Sequence, residues 1–440
     1  MGPWAALNKR LAVTLALAIF LSSFLISIPV KAQTASDPGT NQNVSAEWPM
    51  FRADASHSGS VSGDTLVIPN LLWSYPIETG LEEGGYSSPV IDNGVLYVGS
   101  TNGNLYALNA TDGTKLWNYS TGGWLNSSPA VYNGIVYVGS LALNATTGDK
   151  IWNFGPDLML YSPTIVNGVE YFGWGCNVYA LNAKNGLMLW NSSISSPYWQ
   201  IVSSPAVVNG IVYIGSCDHN LYALNATNGK QLWVYPTGAY VFSSPTVADG
   251  IVYFVSEDEN LYALNASTGE RLWSCNDTQC SVNGESVAVA NGAIYYVSFD
   301  ADSQHIFGVY LKALNASTGA QLWSSGPNNC QPFPILMGNV LYVGGIDHLS
   351  AFKATDGSLL WDSPPTGNTL ASPAYTNGVV YVDSTNCNLY AFGIPSATPS
   401  QSPTPATTLS VPELSWFVIV PLLLSLLFVA VIVRHRNTRS

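Results

Sequence analysis

The sequence predicts an all-β protein, an eight-bladed β-propeller of four-stranded antiparallel blades closed by a terminal clasp. A short phrase recurs along the chain about every 40 residues, and its clearest copy spans residues 87–117. In that copy, apolar runs alternate with the turns Asn93-Gly94, Asn102-Gly103 and Asp112-Gly113. Short β-branched and aromatic runs between such turns indicate antiparallel strands joined by tight turns. A four-stranded unit repeated at this spacing is typical of a propeller.

The number of blades and the closure follow from the two ends of the repeat. Trp73 ends a first copy that has no preceding strands, whereas the last copy, residues 371–392, has strands but no Trp. Joining the two ends makes one blade and removes the open sheet edges, which gives eight blades over residues 70–393. One Trp ends each copy and is expected to dock between blades: Trp73, Trp117, Trp152, Trp190, Trp233, Trp273, Trp323 and Trp361.

The antiparallel strand order assigns the loops to two ends of the ring. The first and third turns of each blade lie at one end, here named the third-turn face. The second turns and the between-blade loops lie at the other, named the second-turn face. Five basic residues occupy third turns: Lys115, Lys150, Lys184, Lys230 and Arg271. Acidic and aromatic residues occupy the second-turn face: Asp218, Glu257, Asp258, Glu259, Asp300, Asp302, Tyr86, Trp124, Trp199 and Tyr240.

The second-turn face is therefore the candidate ligand surface, because pockets at the mouth of a ring are common binding sites. The alternative is that exposed loops are simply acidic and that the aromatic residues only pack. The second blade is expected to have shortened or irregular middle strands, since about six residues are missing between Ser140 and Ala142. That gap would open a notch in the second-turn face.

Composition limits the class of protein. Charged residues make up 9% of the chain, against about 25% in ordinary soluble domains. The formal net charge is −13, and six of the 14 basic residues lie in the two terminal segments. The central part is thus strongly acidic and would repel a phosphate backbone, which argues against nucleic-acid binding.

The chain ends predict a cell-surface protein anchored in the cell membrane. Residues 1–32 read as a signal peptide, with an uncleaved anchor as the alternative, and residues 33–69 form an N-terminal segment. Residues 394–412 are a Ser/Thr/Pro-rich stalk, 413–434 a transmembrane helix and 435–440 a tail. The arginines at 434, 436 and 439 predict a cytoplasmic C-terminus and an extracellular propeller.

An extracellular setting favours glycosylation and disulfides. Besides Asn43, the Asn-X-Ser/Thr sequons are Asn109, Asn118, Asn126, Asn144, Asn191, Asn225, Asn265, Asn276 and Asn315. Five of them share one repeat position, where Asn could equally serve only as a turn residue. The even set of six cysteines suggests Cys275–Cys280, Cys176–Cys217 and Cys330–Cys387 as pairs, while their spacing is not that of a zinc site.

The repeat resembles a known family. Residues 107–117, Ala-Leu-Asn-Ala-Thr-Asp-Gly-Thr-Lys-Leu-Trp, look like the tryptophan-docking motif of pyrroloquinoline-quinone (PQQ) type propellers, with clear copies at 223–233, 263–273 and 313–323. The segment Trp48-Pro49-Met50-Phe51-Arg52 with His57-Ser58-Gly59 is similar to the start of the same group. The resemblance implies indoles wedged between blades. The C-terminal segment resembles the anchors of archaeal surface proteins.

The resemblance also frames the function. PQQ dehydrogenases of this family have adjacent cysteines, a calcium ion and an Asp base, and no position here matches that set. We therefore expect no cofactor, with PQQ or calcium as the alternative, Asp300 and Asp302 being weak calcium candidates. The sequence predicts a non-catalytic binding or scaffold module for an extracellular protein, glycan or other ligand. The alternatives are a PQQ-dependent dehydrogenase and a structural component of the cell envelope.

Overall fold

The computed structural model describes the ring and the segment that leads into it. The described residues are 48–61, 69–77, 87–123, 125–155, 162–194, 200–201, 203–276, 286–301, 306–326, 328, 330, 333–368 and 371–394, with the side chains of 299–307 left aside. The predicted signal peptide, stalk and transmembrane helix lie outside them. Within the described ranges, the chain contains no helix that is long and apolar enough to cross a membrane.

Within the described residues, thirty-three strands form eight sheets around a central channel. The first strands of the blades line the channel: β3 (Val90–Asp92), β7 (Ala130–Tyr132), β11 (Thr164–Val166), β15 (Ala206–Val208), β19 (Thr246–Ala248), β23 (Ala288–Ala290), β27 (Ile335–Met337) and β31 (Ala374–Thr376). The second strands are β4 (Val95–Gly99), β8 (Ile135–Val138), β12 (Val169–Trp174), β16 (Ile211–Gly215), β20 (Ile251–Ser256), β24 (Ala293–Ala301), β28 (Val340–Gly344) and β32 (Val379–Ser384).

The two remaining strands of each blade complete the sheets. The third strands are β5 (Asn104–Asn109), β9 (Leu141–Asn144), β13 (Asn177–Asn182), β17 (Asn220–Asn225), β21 (Asn260–Asn265), β25 (Ile306–Asn315), β29 (Leu349–Lys353) and β33 (Asn388–Gly393). The outer strands are β6 (Lys115–Ser120), β10 (Lys150–Asn153), β14 (Met188–Ser193), β18 (Gln231–Pro236), β22 (Arg271–Asn276), β26 (Gln321–Ser325), β30 (Leu359–Asp362) and β2 (Asn70–Pro76). One short strand, β1 (Ser60–Val61), pairs in parallel with β27.

The predicted clasp is confirmed. The outer strand β2 pairs antiparallel with β33 from Asn70 opposite Gly393 to Pro76 opposite Asn388, so blade 8 combines both ends of the ring. The blades are numbered here from β3 to β6 as blade 1. Neighbouring strands within a blade pair antiparallel, as the turn pattern predicts and as blade 1 illustrates. The prediction for blade 2 is also confirmed, since β8 and β9 have four residues each, against five and six in β4 and β5.

Tryptophan docking holds adjacent blades together. The Trp73 indole N–H donates to the Ala110 carbonyl oxygen of the next blade at 3.1 Å, and the Tyr381 hydroxyl donates to the same oxygen at 3.0 Å. In six further copies the indole N–H likewise donates to an alanine carbonyl oxygen of the next blade, at 2.9–3.1 Å: Trp117, Trp152, Trp190, Trp233, Trp273 and Trp323. Trp361 instead meets the Phe392 ring edge-on at 5.6 Å, because blade 8 has no third turn.

A glycine in each third turn makes room for the docked indole, which leads to a matched prediction. A Cβ at Gly113 would lie 2.6 Å from Cε3 of Trp73, whereas a Cβ at Gly94 would meet nothing within 4 Å. Both glycines have positive φ, 73° and 75°. Gly94→Ala should therefore cost only the left-handed strain, about 1–2 kcal/mol, and Gly113→Ala about 1–3 kcal/mol more. Urea unfolding of the two variants measures the difference, and equal losses would contradict this account of docking.

Candidate functional site

The N-terminal segment fills the central channel. Residues 48–61 run around its inside and exchange one or more main-chain hydrogen bonds with the middle of a first strand in six blades. Each of these first-strand residues donates its N–H to a carbonyl of the segment: Ile91 to Trp48, Val131 to Pro49, Val207 to Ala55, Val247 to Ser56, Val289 to Ser58 and Leu336 to Gly59, at 2.6–3.0 Å. We name residues 48–61 the channel segment.

Two basic side chains cross the interior of the channel. Arg52 is fully buried, and its Nη2 donates to the carbonyl oxygens of Val287 at 2.7 Å and Pro334 at 3.3 Å. His57 is also fully buried. Its Nδ1 donates to the Pro245 carbonyl oxygen at 3.2 Å, and its Nε2 lies 3.2 Å from Thr164 Oγ1. The His57 contact with Thr164 links the segment to blade 3, which it does not reach by main-chain bonds.

Burial controls the protonation of these two groups. It lowers the pKa of Arg52 to about 9 and that of His57 to about 4, and in both cases the charge of Asp54 opposes the shift. The Asp54 carboxylate itself accepts from the main chain and hydroxyls of Ser56 and Ser58 at 2.6–3.1 Å. His57 is thus neutral at physiological pH, and the Asp54 oxygens are used to shape the segment.

On the second-turn face, two predicted ligand residues are used to build turns. Asp218 Oδ2 accepts from the Tyr222 hydroxyl at 2.7 Å, and Asp258 Oδ2 accepts from the Tyr262 hydroxyl at 2.7 Å. Asp258 Oδ2 also accepts from the Gly238 N–H at 2.7 Å, so it ties the loop between blades 4 and 5 to the second turn of blade 5. These carboxylates lie on the predicted face, but they stabilise its loops.

The other described residues of this region are an acidic and aromatic group at the edge of the second-turn face. Tyr240 lies in the loop between blades 4 and 5, and its ring meets the His219 ring at 5.0 Å between centroids. The Glu257 N–H donates to the Tyr240 carbonyl oxygen at 2.9 Å, and burial raises the Glu257 pKa. Glu259 is exposed and, at φ 66°, occupies the left-handed turn position that Gly103 takes in blade 1. The structure thus brings Asp218, Tyr240, Glu257, Asp258 and Glu259 to one edge of the face.

The remaining candidates are placed differently or lie outside the described residues. Asp300 lies within the long second strand β24, opposite Gly308, and not in a loop as expected. Asp302, Tyr86, Trp124 and Trp199 fall outside the described residues. Among the described residues, no group of three His, Cys, Asp or Glu side chains is arranged to hold a metal ion.

Two of the predicted disulfides are wrong. Cys176, Cys217 and Cys330 are free thiols, which excludes the pairs Cys176–Cys217 and Cys330–Cys387. The loop between blades 3 and 4 comes between the first two, since Cys176 O accepts from Ile194 N–H and Cys217 N–H donates to Gln200 O. Cys330 is buried beside Gly345 of blade 7, whereas Cys387 lies in the second turn of blade 8. Cys280 lies outside the described residues, and Cys275 is in strand β22.

The five repeated sequons act as turn residues in the structure. Asn144 Oδ1, for example, accepts from the N–H groups of Thr146 and Thr147 at 2.9 and 3.0 Å. Equivalent bonds occur at Asn109, Asn225, Asn265 and Asn315. Of the other sequons, Asn118, Asn191 and Asn276 are exposed on outer strands, whereas Asn126 Oδ1 is buried.

Sequence reasoning missed a buried acid between blades 2 and 3. Glu170 in β12 is fully buried, and neither of its carboxylate oxygens has a hydrogen-bond partner among the described residues. Burial raises its pKa well above the ordinary value. The repeat alignment carried a signal, because the seven equivalent positions are Leu, Val or Ile: Leu96, Val136, Val212, Val252, Ile294, Leu341 and Val380.

The channel segment was also missed as a functional element, although one signal was present. Arg52 is the only Lys or Arg residue between Lys31 and Lys115, and it falls in a segment without strand periodicity. An isolated cation in a short irregular segment rarely has a role on its own. What it contacts depends on the ring that closes around it.

Comparisons with known proteins agree with this architecture. The family model described as "Outer membrane protein assembly factor BamB" matches residues 69–199, 175–305 and 308–399. No curated protein sequence is significantly similar to the chain. The structure of BamB from Moraxella catarrhalis superimposes with a TM-score of 0.62 at 16% identity and covers 74% of this chain and 100% of that one.

Enzymes share the same fold. The quinohemoprotein alcohol dehydrogenase from Comamonas testosteroni superimposes with a TM-score of 0.68 at 15% identity, over 79% of this chain and 80% of that one. A europium-containing methanol dehydrogenase gives 0.67 at 13% identity, over 79% and 98%. At these identities the likeness shows the fold alone. The family model matches most of the length of the ring. The chain therefore belongs to this family of PQQ-type repeat propellers, whose model carries the description of the assembly factor BamB.

Proposed function

We propose that this protein is a non-catalytic binding or scaffold propeller of the cell surface, anchored in the cell membrane through its C-terminal segment. One observation carries the proposal: the channel segment fills the interior of the ring with Arg52, His57 and main-chain bonds to six blades. A protein or glycan ligand is then bound on the loops of a face and not inside the channel. Broad loop surfaces on a rigid ring suit recognition of a protein or glycan.

The direction of the chain at both ends supports an orientation for the molecule. Trp48 pairs antiparallel with Ile91, so the chain runs into the channel from the third-turn face. Strand β33 also runs toward the third-turn face and ends there at Gly393. We propose that the stalk, residues 394–412, and the transmembrane helix, residues 413–434, continue from this side. The second-turn face would then point away from the membrane toward an extracellular partner.

The sequons fit the same arrangement. The five Asn side chains in third turns hold their Oδ1 atoms inward on the turn N–H groups, as at Asn144. That geometry leaves each side-chain amide nitrogen available for a glycan on the third-turn face. We propose glycosylation there and at Asn118 and Asn191, which lie in the middle of outer strands, and at Asn276, which ends the outer strand of blade 5 opposite Asn260. A mass decrease on treatment with a glycosidase checks it.

The competing function is that of a PQQ-dependent dehydrogenase, as in the enzymes that share the fold. The residues of the channel and of the second-turn face do not fit that cofactor. The channel interior is taken by the segment, and the carboxylates Asp218 and Asp258 are bound to tyrosine hydroxyls. A visible absorption spectrum of the protein from its native membrane decides between the two, because a bound quinone absorbs there. A structural role in the cell envelope is a further alternative.

The proposal predicts which charge changes affect binding. Glu257→Lys with Glu259→Lys should weaken binding of the extracellular partner about tenfold or more, because the charges of two carboxylates on the second-turn face are reversed. The matched variant, Lys115→Glu with Lys230→Glu on the third-turn face, should leave binding within about twofold. Asp258 is left unchanged because it holds the loop through Gly238 and Tyr262. Photo-crosslinking on native cells from position 259 compared with position 230 measures the preference, and stronger crosslinking from position 230 would reject the assignment.

A further inference from the structure

We propose that the channel holds a small monovalent anion, such as chloride, between blades 7 and 8. The site is built from three buried groups that have no hydrogen-bond partner among the described residues: Nη1 of Arg52, the Trp48 indole N–H and the Ser372 hydroxyl. Each of these residues is at most 1% exposed. The inference is independent of the partner proposed above.

The first step is the hydrogen bonding of Arg52. Its Nε donates to the His57 carbonyl oxygen at 3.3 Å, and its Nη2 donates to Val287 and Pro334, whereas Nη1 has no partner among the described residues. All of its bonds go to neutral carbonyls. The nearest acid in its electrostatic environment, Asp54, already accepts four bonds from Ser56 and Ser58. A buried cation without a bound counter-ion is costly, so an anion beside Nη1 would be strongly stabilised.

The second step is that the other two orphaned groups face the same sector. Trp48 packs in the buried cluster that joins blades 7, 8 and 1, together with Met337 and Ala374, and its Nε1 has no partner in the described structure. Ser372 lies two residues before Ala374, where the first strand β31 of blade 8 begins, and its Oγ likewise has no partner in the described structure. Arg52 reaches the same sector through the carbonyl of Pro334, which directly precedes the first strand β27 of blade 7.

The third step explains why this sector is open. In most of the ring a serine before each first strand links adjacent blades, with its N–H donating to the serine Oγ of the next blade. The chain of bonds runs through Ser372, Ser88, Ser128, Ser162, Ser204 and Ser244 at 2.9–3.1 Å. Blade 7 has Phe333-Pro334 in place of this serine, with Phe333 at φ 82°, so no N–H reaches Ser372 Oγ.

The packing agrees with this break. Neighbouring first strands pack closely all around the ring, and among the eight, all of them described, the contact between β27 and β31 is the weakest. The channel segment also makes no main-chain hydrogen bond to β31, in contrast to its bonds with six other blades. The unpaired groups are two N–H donors and a hydroxyl beside a positive charge. Such a set selects an anion over a cation, and a carbonyl-lined wall limits its size.

Thermal unfolding of the full-length protein in detergent tests the site, with sodium chloride exchanged for sodium gluconate at fixed ionic strength. A site that binds chloride only in the folded state should raise the Tm by roughly 2 °C for each tenfold rise in chloride above the Kd. Trp48→Phe and Ser372→Ala each remove one donor and keep the packing, so the chloride-dependent rise should fall by half or more. Thr101→Val is the matched control, because its orphaned hydroxyl lies in the second turn of blade 1.

Crystals soaked in bromide give the position directly. We expect an anomalous peak within hydrogen-bond distance of Arg52 Nη1. The proposal is overturned if the Tm is the same in chloride and gluconate and no bromide peak is present, in which case water satisfies these donors. It is also overturned if Thr101→Val lowers the chloride response as much as Trp48→Phe, because the effect would then come from the surface.

Discussion

Deleting residues 70–75 should lower the Tm by roughly 5–8 °C and open the ring. The deleted residues carry most of β2, the outer strand of blade 8, and with it the antiparallel pairing to β33 from Asn70 to Tyr75. They also carry Trp73, whose indole donates to Ala110 and lies 5.8 Å from the Tyr381 ring. Trp73 is partly buried, and loss of a fully buried Trp side chain costs about 3–5 kcal/mol. Together with the lost strand pairing, a loss of this order corresponds to a shift of several degrees in a ring of this size.

The reason for a large effect is topological as well as local. Among the described strands, blade 8 alone combines both ends of the ring, so the hydrogen bonds between β2 and β33 are what closes the circle. Without β2, the backbone groups of β33 become an open sheet edge, and blade 1 loses the indole that seats against Gly113. An open edge of this kind should also promote association between molecules.

The matched control removes six residues from the predicted stalk, residues 397–402. These residues follow the last strand β33 in the sequence and belong to the predicted stalk, so their removal should leave the Tm unchanged. Calorimetry and light scattering on both deletions measure stability and association. If the deletion of residues 70–75 keeps the parent Tm, the clasp does not close the ring in solution.

Replacing the buried acid between blades 2 and 3 should have the opposite effect and make the folded protein more stable. Glu170→Leu is expected to stabilise the protein by about 2–4 kcal/mol near pH 8, because it removes a fully buried carboxyl whose two oxygens lack partners within the described residues. The position is aliphatic in the other seven blades, and its cross-strand neighbours Ile165 and Leu181 provide an apolar setting.

The gain should depend on pH in a defined direction. Burial raises the folded-state pKa of Glu170 above its unfolded value, so the folded protein binds the proton more tightly than the unfolded chain. The stability of the parent protein therefore falls as the pH rises from about 4.5 toward the folded pKa. The advantage of Glu170→Leu should be smallest near pH 4 and largest near pH 8. Burial likewise raises the pKa of Asp383 to about 8, but this background is shared by both proteins and cancels in their difference.

Glu170→Gln separates the charge from the polarity. The amide cannot ionise, so this variant should lose the pH dependence of the difference, yet its unpaired polar group should keep it less stable than Glu170→Leu. Urea unfolding at pH 4, 6 and 8 for the three proteins measures both effects. A constant difference between parent and Glu170→Leu across this range would show that the folded and unfolded states bind the Glu170 proton equally tightly, which contradicts a pKa raised by burial.

The repeat made most of the ring predictable. Asn-Gly turns such as Asn93-Gly94, the alternation of apolar residues and the spacing of the tryptophans are properties of short stretches, and each blade repeats them. The departures from the repeat were predictable as well. Trp73, which ends a copy without preceding strands, predicts the clasp, and the missing residues after Ser140 predict the short strands of blade 2. Local turn chemistry and side-chain period decide these features, so the rest of the fold was not needed to see them.

The candidate site was less predictable because residue type does not show how a side chain is used. Asp218 and Asp258 lie on the predicted face, but their carboxylates hold Tyr222 and Tyr262, since a turn residue and a ligand residue look the same in sequence. Cysteines on one face suggested bridges, whereas Cys176 and Cys217 are separated by the loop between blades 3 and 4. Distances between loops depend on the closed ring.

The sequence by itself determined the architecture: the four-stranded blade, the number of copies, the Trp docking and the joining of the two ends. Only the tertiary structure decided what fills the channel. The partners of the channel segment are main-chain N–H and carbonyl groups of blades that lie up to 280 residues away, such as Val287 and Pro334 for Arg52. Main-chain groups are the same for every residue type, so they leave no mark in the sequence, and their positions exist only once the ring has closed.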